Sequence, residues 1–272
     1  MAAILPGVFE AVKKDGSIYY RASLTHKSKH ISLGSFDQPE IAHQAYLEAK
    51  QLLPDAGTNI TLKDYRKDIH VLSFDKWVSL INLRDNGMYF ATPIYIRNRF
   101  FHYYISPSHI LKFDIDDLFY FASHKIMKRG GHYFVADFGM QVSILSRFGI
   151  KSYAVVGQDY DFINGDNTDF RRENLDIYNQ YHGVLLQTDE ITLTTRYLAR
   201  IHVNGYYNIG IYDTMEEAAI AYNKAIDILH KQGVGRSYVP NYPEHVSPKT
   251  YADIYASLKV SPKLYSILPN NQ

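Results

Sequence analysis

The chain has 272 residues, of which 46% are hydrophobic and 21% charged, an ordinary globular composition with room for about two or three small domains. It contains no cysteine, which excludes disulfides and cysteine-ligated zinc, and its formal net charge of +1 argues against a strong non-specific nucleic-acid binder. The N-terminal stretch lacks the basic region of a secretory signal and no apolar run approaches the ~20 residues of a membrane helix, so we expect a cytoplasmic chain without a membrane partner.

A short β-sheet followed by a helix is predicted close to the N-terminus. The run 20–24 alternates with the period of two that half-buried strands show, residues 26–29 supply a polar turn, and a further strand ends at the Gly-x-Phe-Asp of residues 34–37. Asp37 is the expected N-cap of the helix, with Pro39 near its first turn. Small residues would let this helix lie close on the sheet, and its apolar stripe is Ala42, Ala45, Tyr46 and Ala49.

The middle of the chain offers secondary structure but few motifs. Between residues 60 and 110, alternating runs such as 89–96 predict strands. Residues 114–121 predict a short helix with an acidic cap, and the run Lys-Arg-Gly-Gly-His-Tyr-Phe-Val-Ala from Lys128 predicts a turn and a strand. The sequence contains no phosphate-binding glycine loop and no serine-elbow motif.

The stretch from Asp159 to Leu175, DYDFINGDNTDFRRENL, joins an acidic turn to Arg-Arg-Glu-Asn-Leu. It resembles the catalytic segment of His-Asn-His nucleases, which runs Asp-His-Ile-Asn-Gly-Asp, two variable residues, then Asp-Asn-Arg-Arg-Glu-Asn-Leu. The frame matches position for position, but Phe162 stands where the family has its His and Phe170 where it has its Asn. The resemblance implies a central ββα unit whose last helix opens at Arg171-Arg172.

The two substitutions bear directly on catalysis. In the family that the segment resembles, the His takes a proton from the attacking water, and neighbouring side chains bind a divalent metal. Phenylalanine has neither a proton site nor a metal ligand, so we expect no catalytic residue, no metal and no other cofactor, with aromatic packing in the vacated pocket. The carboxylates expected to shape the turn are Asp159, Asp161, Asp166 and Asp169. The resemblance places Arg171 and Arg172 against the DNA backbone.

A second sheet-and-helix pattern follows near residue 196. Residues 197–201 alternate like a strand, Asn204-Gly205 is a strong hairpin turn, and a further strand ends at the Gly-x-Tyr-Asp of residues 210–213. Thr214 is expected to cap a helix, whose apolar stripe is Ala218, Ala221, Tyr222 and Ala225. In the tail, which is rich in Pro and Tyr, residues 251–260 predict a short helix.

The two patterns form an internal repeat. When Gly34 is aligned with Gly210, Tyr46 and Tyr222 fall at the same spacing after them. A three-stranded sheet backed by an Ala-rich helix, with Gly-x-Phe-Asp before that helix, resembles the Apetala-two-like DNA-binding domain. One departure is that the family's usual Trp in the middle strand is a Tyr here, and Leu198 takes the place of an Arg in the second copy.

This second resemblance implies that the uncovered face of each sheet enters the major groove of double-stranded DNA, where Arg can pair bidentately with guanine. The alternation along each strand does not show which of its two alternating sets of residues faces outward. The residues expected to contact bases are Arg21, Ser23, Thr25, Arg200 and His202. The residues expected to contact phosphate or sugar are Tyr19, Lys27, Lys29, Tyr206 and Tyr207.

Together these patterns predict an α+β chain of several domains. The predicted domains are an Apetala-two-like domain over 1–58, a central degenerate His-Asn-His-like domain over 59–181, a second Apetala-two-like domain over 182–236 and a C-terminal extension over 237–272. The predicted function is sequence-specific binding of double-stranded DNA without enzymatic activity. Such a protein would be a nucleoid-associated regulator of a phage or mobile element.

Two alternatives remain open. An active nuclease could draw displaced ligands from Asp161, Asp166, Asp169 and His182. An inhibitor or adaptor that binds a protein partner would fit the near-neutral charge and the 24 tyrosines, since Tyr is favoured at protein interfaces. The sequence leaves the oligomeric state and the recognised DNA site undetermined.

Overall fold

The chain folds as a mixed α+β structure, which confirms the predicted fold class, and it divides into two compact units. The first unit comprises Met1–Gln141 with Asp166–Asn174, and the second comprises Val142–Gly165 with Leu175–Gln272. Within the described ranges, no helix has the length and apolar character needed to cross a membrane. The computed structural model describes residues 3–54, 57–152, 154–188, 192–235 and 237–267.

The first unit opens with a four-stranded antiparallel sheet and a helix packed on one of its faces. In chain order the elements are β1 (Ala3–Leu5), β2 (Val8–Val12), β3 (Ile18–His26), β4 (Lys29–Phe36) and α1 (Pro39–Leu52). The strands lie side by side in that same order. The sheet has one strand more than predicted, because the chain before Gly7 folds back as β1 and pairs with β2.

Helix α1 covers the sheet with small side chains, as its sequence predicts. The fully buried members of its stripe are Ala42, Ala45 and Ala49. The helix does not use Asp37 as its N-cap, and that prediction is wrong by one residue. Gln38 takes the extended N-cap conformation without a side-chain hydrogen bond, because Pro39, with its fixed φ, already occupies the first helical position.

Behind this module lies a helix that the sequence patterns miss. Helix α2 (Phe74–Asn86) begins after the N-cap Ser73 and ends at Gly87, whose φ of 72° is left-handed. Residues along its centre are buried on most sides, including the polar Ser79 and Asn82. Its apolar residues therefore form no single stripe, and the strand-like alternation expected in runs between 60 and 110 does not extend to this segment.

Further short strands and one short helix complete the first unit. They are β5 (Ile94–Ile96), β6 (Phe100–Ser106), β7 (His109–Asp114), α3 (Leu118–Ser123), β8 (Met127–Arg129), β9 (His132–Asp137) and β10 (Met140–Ser143), the last of which crosses the division between the units. The 3₁₀ turn Ile115–Asp117 leads into α3, which confirms the short helix predicted there. Gly130 and Gly131, both with positive φ, form the predicted turn before β9.

The segment that resembles a nuclease does not form the expected helix. In the first unit, Arg172–Asn174 makes a single 3₁₀ turn. In the second unit, β11 (Tyr160–Phe162) pairs antiparallel with β12 (Leu175–Ile177). The prediction of a helix opening at Arg171 is wrong, because pairing with β11 holds the residues after Asn174 in an extended conformation.

The second unit carries the predicted second module and the tail. Its elements are β13 (Val184–Thr188), β14 (Thr195–His202), β15 (Tyr206–Tyr212), α4 (Met215–Lys231) and α5 (Pro248–Ser257). Three antiparallel strands form the sheet, with Asn204-Gly205 in the hairpin turn as predicted. The Thr214 hydroxyl caps α4 by accepting the Glu217 N–H at 3.1 Å, while Glu217 accepts the Thr214 N–H.

Both modules contain the same irregularity in their hairpins. The ladder between β3 and β4 shifts register at Ala22-Ser23, and the ladder between β14 and β15 shifts at Ala199-Arg200. In each case the alanine before the shift pairs with a glycine, Gly34 or Gly210. The two hairpins therefore share one backbone irregularity, in agreement with the repeat in the sequence.

A glycine also lies against the helix tyrosine in each module. Gly7, with a φ of 76°, lies so close to Tyr46 that a Cβ would overlap the ring, and Gly183, with a φ of 69°, stands in the same relation to Tyr222. The glycine carbonyl oxygens accept backbone N–H groups from β3 and β14 at 2.9 and 2.7 Å. This contact fixes where each helix crosses its sheet.

Replacing Gly183 with Ala should destabilise the second unit. The new Cβ would meet the Arg200 carbonyl oxygen and the Tyr222 ring, on a backbone that L residues rarely adopt. We expect a loss of about 1–3 kcal/mol in unfolding free energy, measured by urea unfolding followed by circular dichroism. Gly205→Ala is the matched control, because nothing lies within 4 Å of a Cβ at that position. Equal losses in both variants would contradict this account.

Candidate nucleic-acid interface

The sheet face opposite α1 carries the residues predicted to contact bases in the first module. Ala22 is buried beneath α1, so its neighbours Arg21 and Ser23 point to the other face. Arg21 and Thr25 are exposed, whereas Ser23 is only 8% exposed. Phe9 shares this face, because it lies opposite Arg21 across the β2–β3 ladder. The structure thus shows which alternate residues of β3 face away from α1, a point that the sequence leaves open.

A cavity of about 340 Å³ lies on this face. Its lining residues are Phe9, Arg21, Ala22, Ser23, His30 and Ser32. His30 and Ser32 are absent from the predicted contacts, and the β3–β4 register places them opposite Thr25 and Ser23. Locating the hairpin turn at Lys27-Ser28 in the sequence would have identified both.

The other predicted contacts of the first module lie around this cavity. Lys27 forms part of the hairpin turn and is exposed, and the exposed Lys29 places its amine 5.0 Å from the centre of the Tyr89 ring. Tyr19, near the start of β3, is half-buried. Within the described part of the chain, no carboxylate forms an ion pair with Arg21. Its guanidinium is therefore available to a ligand.

In the second module, three predicted residues form one cluster on the face opposite α4. The Arg200 guanidinium lies 4.3 Å from the centre of the Tyr206 ring, and the His202 ring meets the same tyrosine edge-on at 4.9 Å. Tyr207 pairs with Ile201 and packs against the core on the α4 side. Tyr207 therefore lies on the helix side of the sheet, away from the face that carries Arg200 and Tyr206.

The two outward faces are not chemically equivalent. Ala22 and Ala199 occupy the same place in the repeat, so Leu198 stands where the first module has Arg21. Leu198 has apolar neighbours across both ladders, namely Leu185 and Ile211. The second module thus has an apolar row at this place, with Leu198 itself buried and Arg200 farther along β14.

The two phenylalanines of the nuclease-like segment are both buried. Phe162, in the second unit, is 7% exposed and meets Tyr160 edge-on at 5.5 Å. Phe170, in the first unit, is 3% exposed, stacks on Phe113 at 5.7 Å and meets Tyr133 edge-on at 5.9 Å. Both rings are in hydrophobic packing, as predicted from their chemistry.

Within the first unit, the carboxylates of this segment are paired with basic side chains. Asp166 lies 2.7 Å from the Lys112 amine and 2.6 Å from the Thr168 hydroxyl, and these hydrogen bonds lower the pKa of its carboxyl to about 2. Asp169 is fully buried. Burial acts to raise the pKa of Asp169, but hydrogen bonds from Arg171 outweigh it and lower that pKa.

The two arginines predicted to touch the DNA backbone differ in their availability. Arg171 donates two hydrogen bonds to Asp169, at 2.8 and 2.7 Å, and a third to Glu173 at 2.8 Å. The side chain of Arg172 is 56% exposed and its guanidinium lies 3.9 Å from Asp117. Arg171 therefore braces the turn, and Arg172 is the better placed of the two for a phosphate contact.

The remaining ligands of the alternative nuclease lie in the second unit. Asp161 is exposed and accepts a hydrogen bond from the Tyr178 hydroxyl at 3.4 Å. His182 is half-buried, and its burial, followed by the charge of Lys151, lowers its pKa. Lys151 itself pairs with the buried Asp159 at 2.7 Å. The sequence patterns do not reveal this ion pair, because nothing in the local pattern marks Lys151.

Comparison with known proteins adds no relative. No protein-family model matches the chain, and neither the curated proteins nor the solved structures give a match. Among the residues that the structure describes, no group of three or more His, Asp or Glu side chains is arranged to hold a metal ion.

The Asp166–Lys112 pair should make the stability of the first unit depend on pH. The pKa of Asp166 in the folded protein is about 2, below the ordinary 3.8. The stabilising contribution of its carboxylate is therefore complete at pH values above 3.8 and is lost as the pH falls towards 2. Asp166→Asn should cost up to about 1 kcal/mol near neutral pH and progressively less in acid. Urea unfolding followed by the fluorescence of Trp77, the single tryptophan and a member of the same unit, measures this.

The exposed Asp68, in the same unit, provides the control for that experiment. Asp68→Asn should have little effect at either pH. If the loss caused by Asp166→Asn were the same at neutral and acid pH, the carboxylate would not be contributing through its charge.

Proposed function

We propose that this chain is a sequence-specific double-stranded DNA-binding protein, descended from a His-Asn-His homing nuclease that lost catalysis, and that it regulates a phage or mobile element. The observation that carries the proposal is the repeated module. In each copy a helix covers one sheet face, and an arginine, Arg21 or Arg200, lies on the opposite face. No enzymatic activity is assigned to the chain.

The uncovered faces suit the major groove of DNA. A two-stranded β-ribbon fits a groove about 12 Å wide, and the fork of an arginine matches the O6 and N7 acceptors of guanine. In the first module, Ser23 and Ser32 line the same cavity as Arg21, and a serine hydroxyl can bond to a base edge beside it. In the second module, the Arg200 guanidinium lies against the face of the Tyr206 ring, which holds it in place.

The low net charge favours recognition by specific contacts over general attraction to phosphate. With a formal charge of +1, the chain has no large excess of cations to drive counterion release. Lys27, Lys29 and Arg172 are exposed cations that can hold the backbone locally. Two readers in one chain also raise each other's effective concentration, which offsets weak binding by each alone.

The side chains at the former nuclease centre support the loss of catalysis. Phe162 and Phe170 provide neither a general base nor a metal ligand. Asp166 is paired with Lys112, and Asp169 is buried against a neighbouring arginine. A metal at these carboxylates would have to displace those cations, which favours DNA binding over a nuclease with displaced ligands.

Removing either reader should weaken DNA binding. Arg21→Ala and Arg200→Ala should each cost about 1–3 kcal/mol and relax the base preference at one position, because each removes a bidentate contact to a base. Gel shifts of the full chain on a DNA site selected from random fragments, and on single-base variants of that site, measure both effects.

Lys231→Ala is the control, since it removes one positive charge from an exposed position at the end of α4, on the helix side of the module. Its affinity should stay close to that of the parent. Unchanged affinity and base preference in both arginine variants would exclude Arg21 and Arg200 as readers. A chain with no salt-dependent affinity for DNA would instead favour the inhibitor or adaptor.

A further inference from the structure

A second cavity, of about 720 Å³, lies between α4 and the C-terminal extension, wholly within the second unit. Residues of α4 from Asn223 to His230 form one wall, and residues 238–251 form the other. Its volume is typical of sites that bind small organic molecules. None of the residues proposed to contact DNA lines this cavity.

Buried hydrogen bonds hold the two walls together. The Asn223 amide donates to the Asn241 carbonyl at 2.7 Å, and the Asn241 N–H returns a hydrogen bond to the Asn223 side chain at 2.8 Å. Asn223 also donates to the Tyr251 hydroxyl at 2.9 Å. The Asn241 side chain is itself fixed by the backbone of His182, at 2.7 and 2.9 Å. The cavity is therefore formed before any ligand arrives.

The chemistry of the lining points to a positively charged ligand with an apolar body. Prolines and three tyrosine rings, Tyr238, Tyr242 and Tyr251, line it, and Tyr242 is 77% exposed. Its acidic side chains are Asp227 and Glu244, and none of the lining residues is Lys or Arg. Aromatic rings beside carboxylates are the environment in which proteins bind organic ammonium groups.

One of these carboxylates is oriented without being neutralised. Asp227 accepts a hydrogen bond from the Tyr255 hydroxyl at 2.6 Å. Burial, together with that hydrogen bond, raises the pKa of Tyr255 to about 12, so the hydroxyl keeps its proton and donates it. Among the described residues, no cation forms an ion pair with Asp227 or Glu244.

We propose that this cavity binds an alkylammonium group, with the charged head at Asp227 and Glu244 and the alkyl body against the tyrosine and proline side chains. A free amine and a lysine side chain share this chemistry. Since none of the lining residues is Lys or Arg, a neutral ligand of the same shape gains no attraction from the two carboxylates, and an anionic ligand is repelled.

Isothermal titration calorimetry of the full chain with hexylammonium tests the proposal. Hexylammonium should bind saturably, 1-hexanol should bind at least ~10-fold more weakly, and hexanoate should not bind. A capped lysine amide in the same assay separates the two sources, since binding as tight as that of hexylammonium assigns the site to a lysine side chain and weaker binding assigns it to a free amine. Equal binding of the alcohol and the amine, or no saturable binding of either amine, would overturn the proposal.

Variants locate the binding in the cavity. Asp227→Asn combined with Glu244→Gln should lower the affinity for hexylammonium at least ~10-fold, and Tyr242→Ala should weaken it through loss of an aromatic wall. These side chains are exposed, so folding should be retained, which circular dichroism verifies. Asp253→Asn, an exposed acid of α5 outside the lining, is the control and should leave the affinity unchanged. An unchanged affinity in the double variant would place any amine binding elsewhere.

Discussion

The contact between a glycine and a helix tyrosine is the constraint on which each module depends. Gly7 meets Tyr46 and Gly183 meets Tyr222 without room for a Cβ, and the buried alanines let the helices lie against their sheets. A helix held this close covers one sheet face, and alternate residues of the strands then lie on the other face. The positions of Arg21 and Arg200 on that other face follow from this packing, and they support the proposed role in DNA recognition.

Much of the two modules could be predicted from the sequence, because their patterns are local: alternation in the strands, Asn204-Gly205 in the turn, and alanines at helical spacing. The features that were missed depend on distant partners. Helix α2 is buried on most sides and shows no stripe. The helix expected after Arg171 is replaced by a strand whose partner, β11, lies before the acidic turn, and no local propensity encodes that pairing.

The candidate interface shows the same division between local and distant information. The residue types on β3 and β14 could be chosen from alternation and from the family resemblance, but the outward parity depends on which residues α1 and α4 cover. The sequence also could not show that Arg171 is held by Asp169, or that Lys112 reaches Asp166 from a distant strand. These ion pairs brace the turn that the nuclease-like segment forms.

The central claim is that the chain reads DNA through two modules and does not cut it. Its most direct test is to incubate the full chain with random-sequence DNA fragments and Mg²⁺ and to recover the bound fragments. Sequencing these fragments to their ends shows both which sequence is enriched and whether the fragments were cut. The account predicts enrichment of a two-part sequence, with one part for each module, in fragments that are recovered whole. A bound fraction without any enriched sequence, or one cleaved at a defined position within it, would contradict the account.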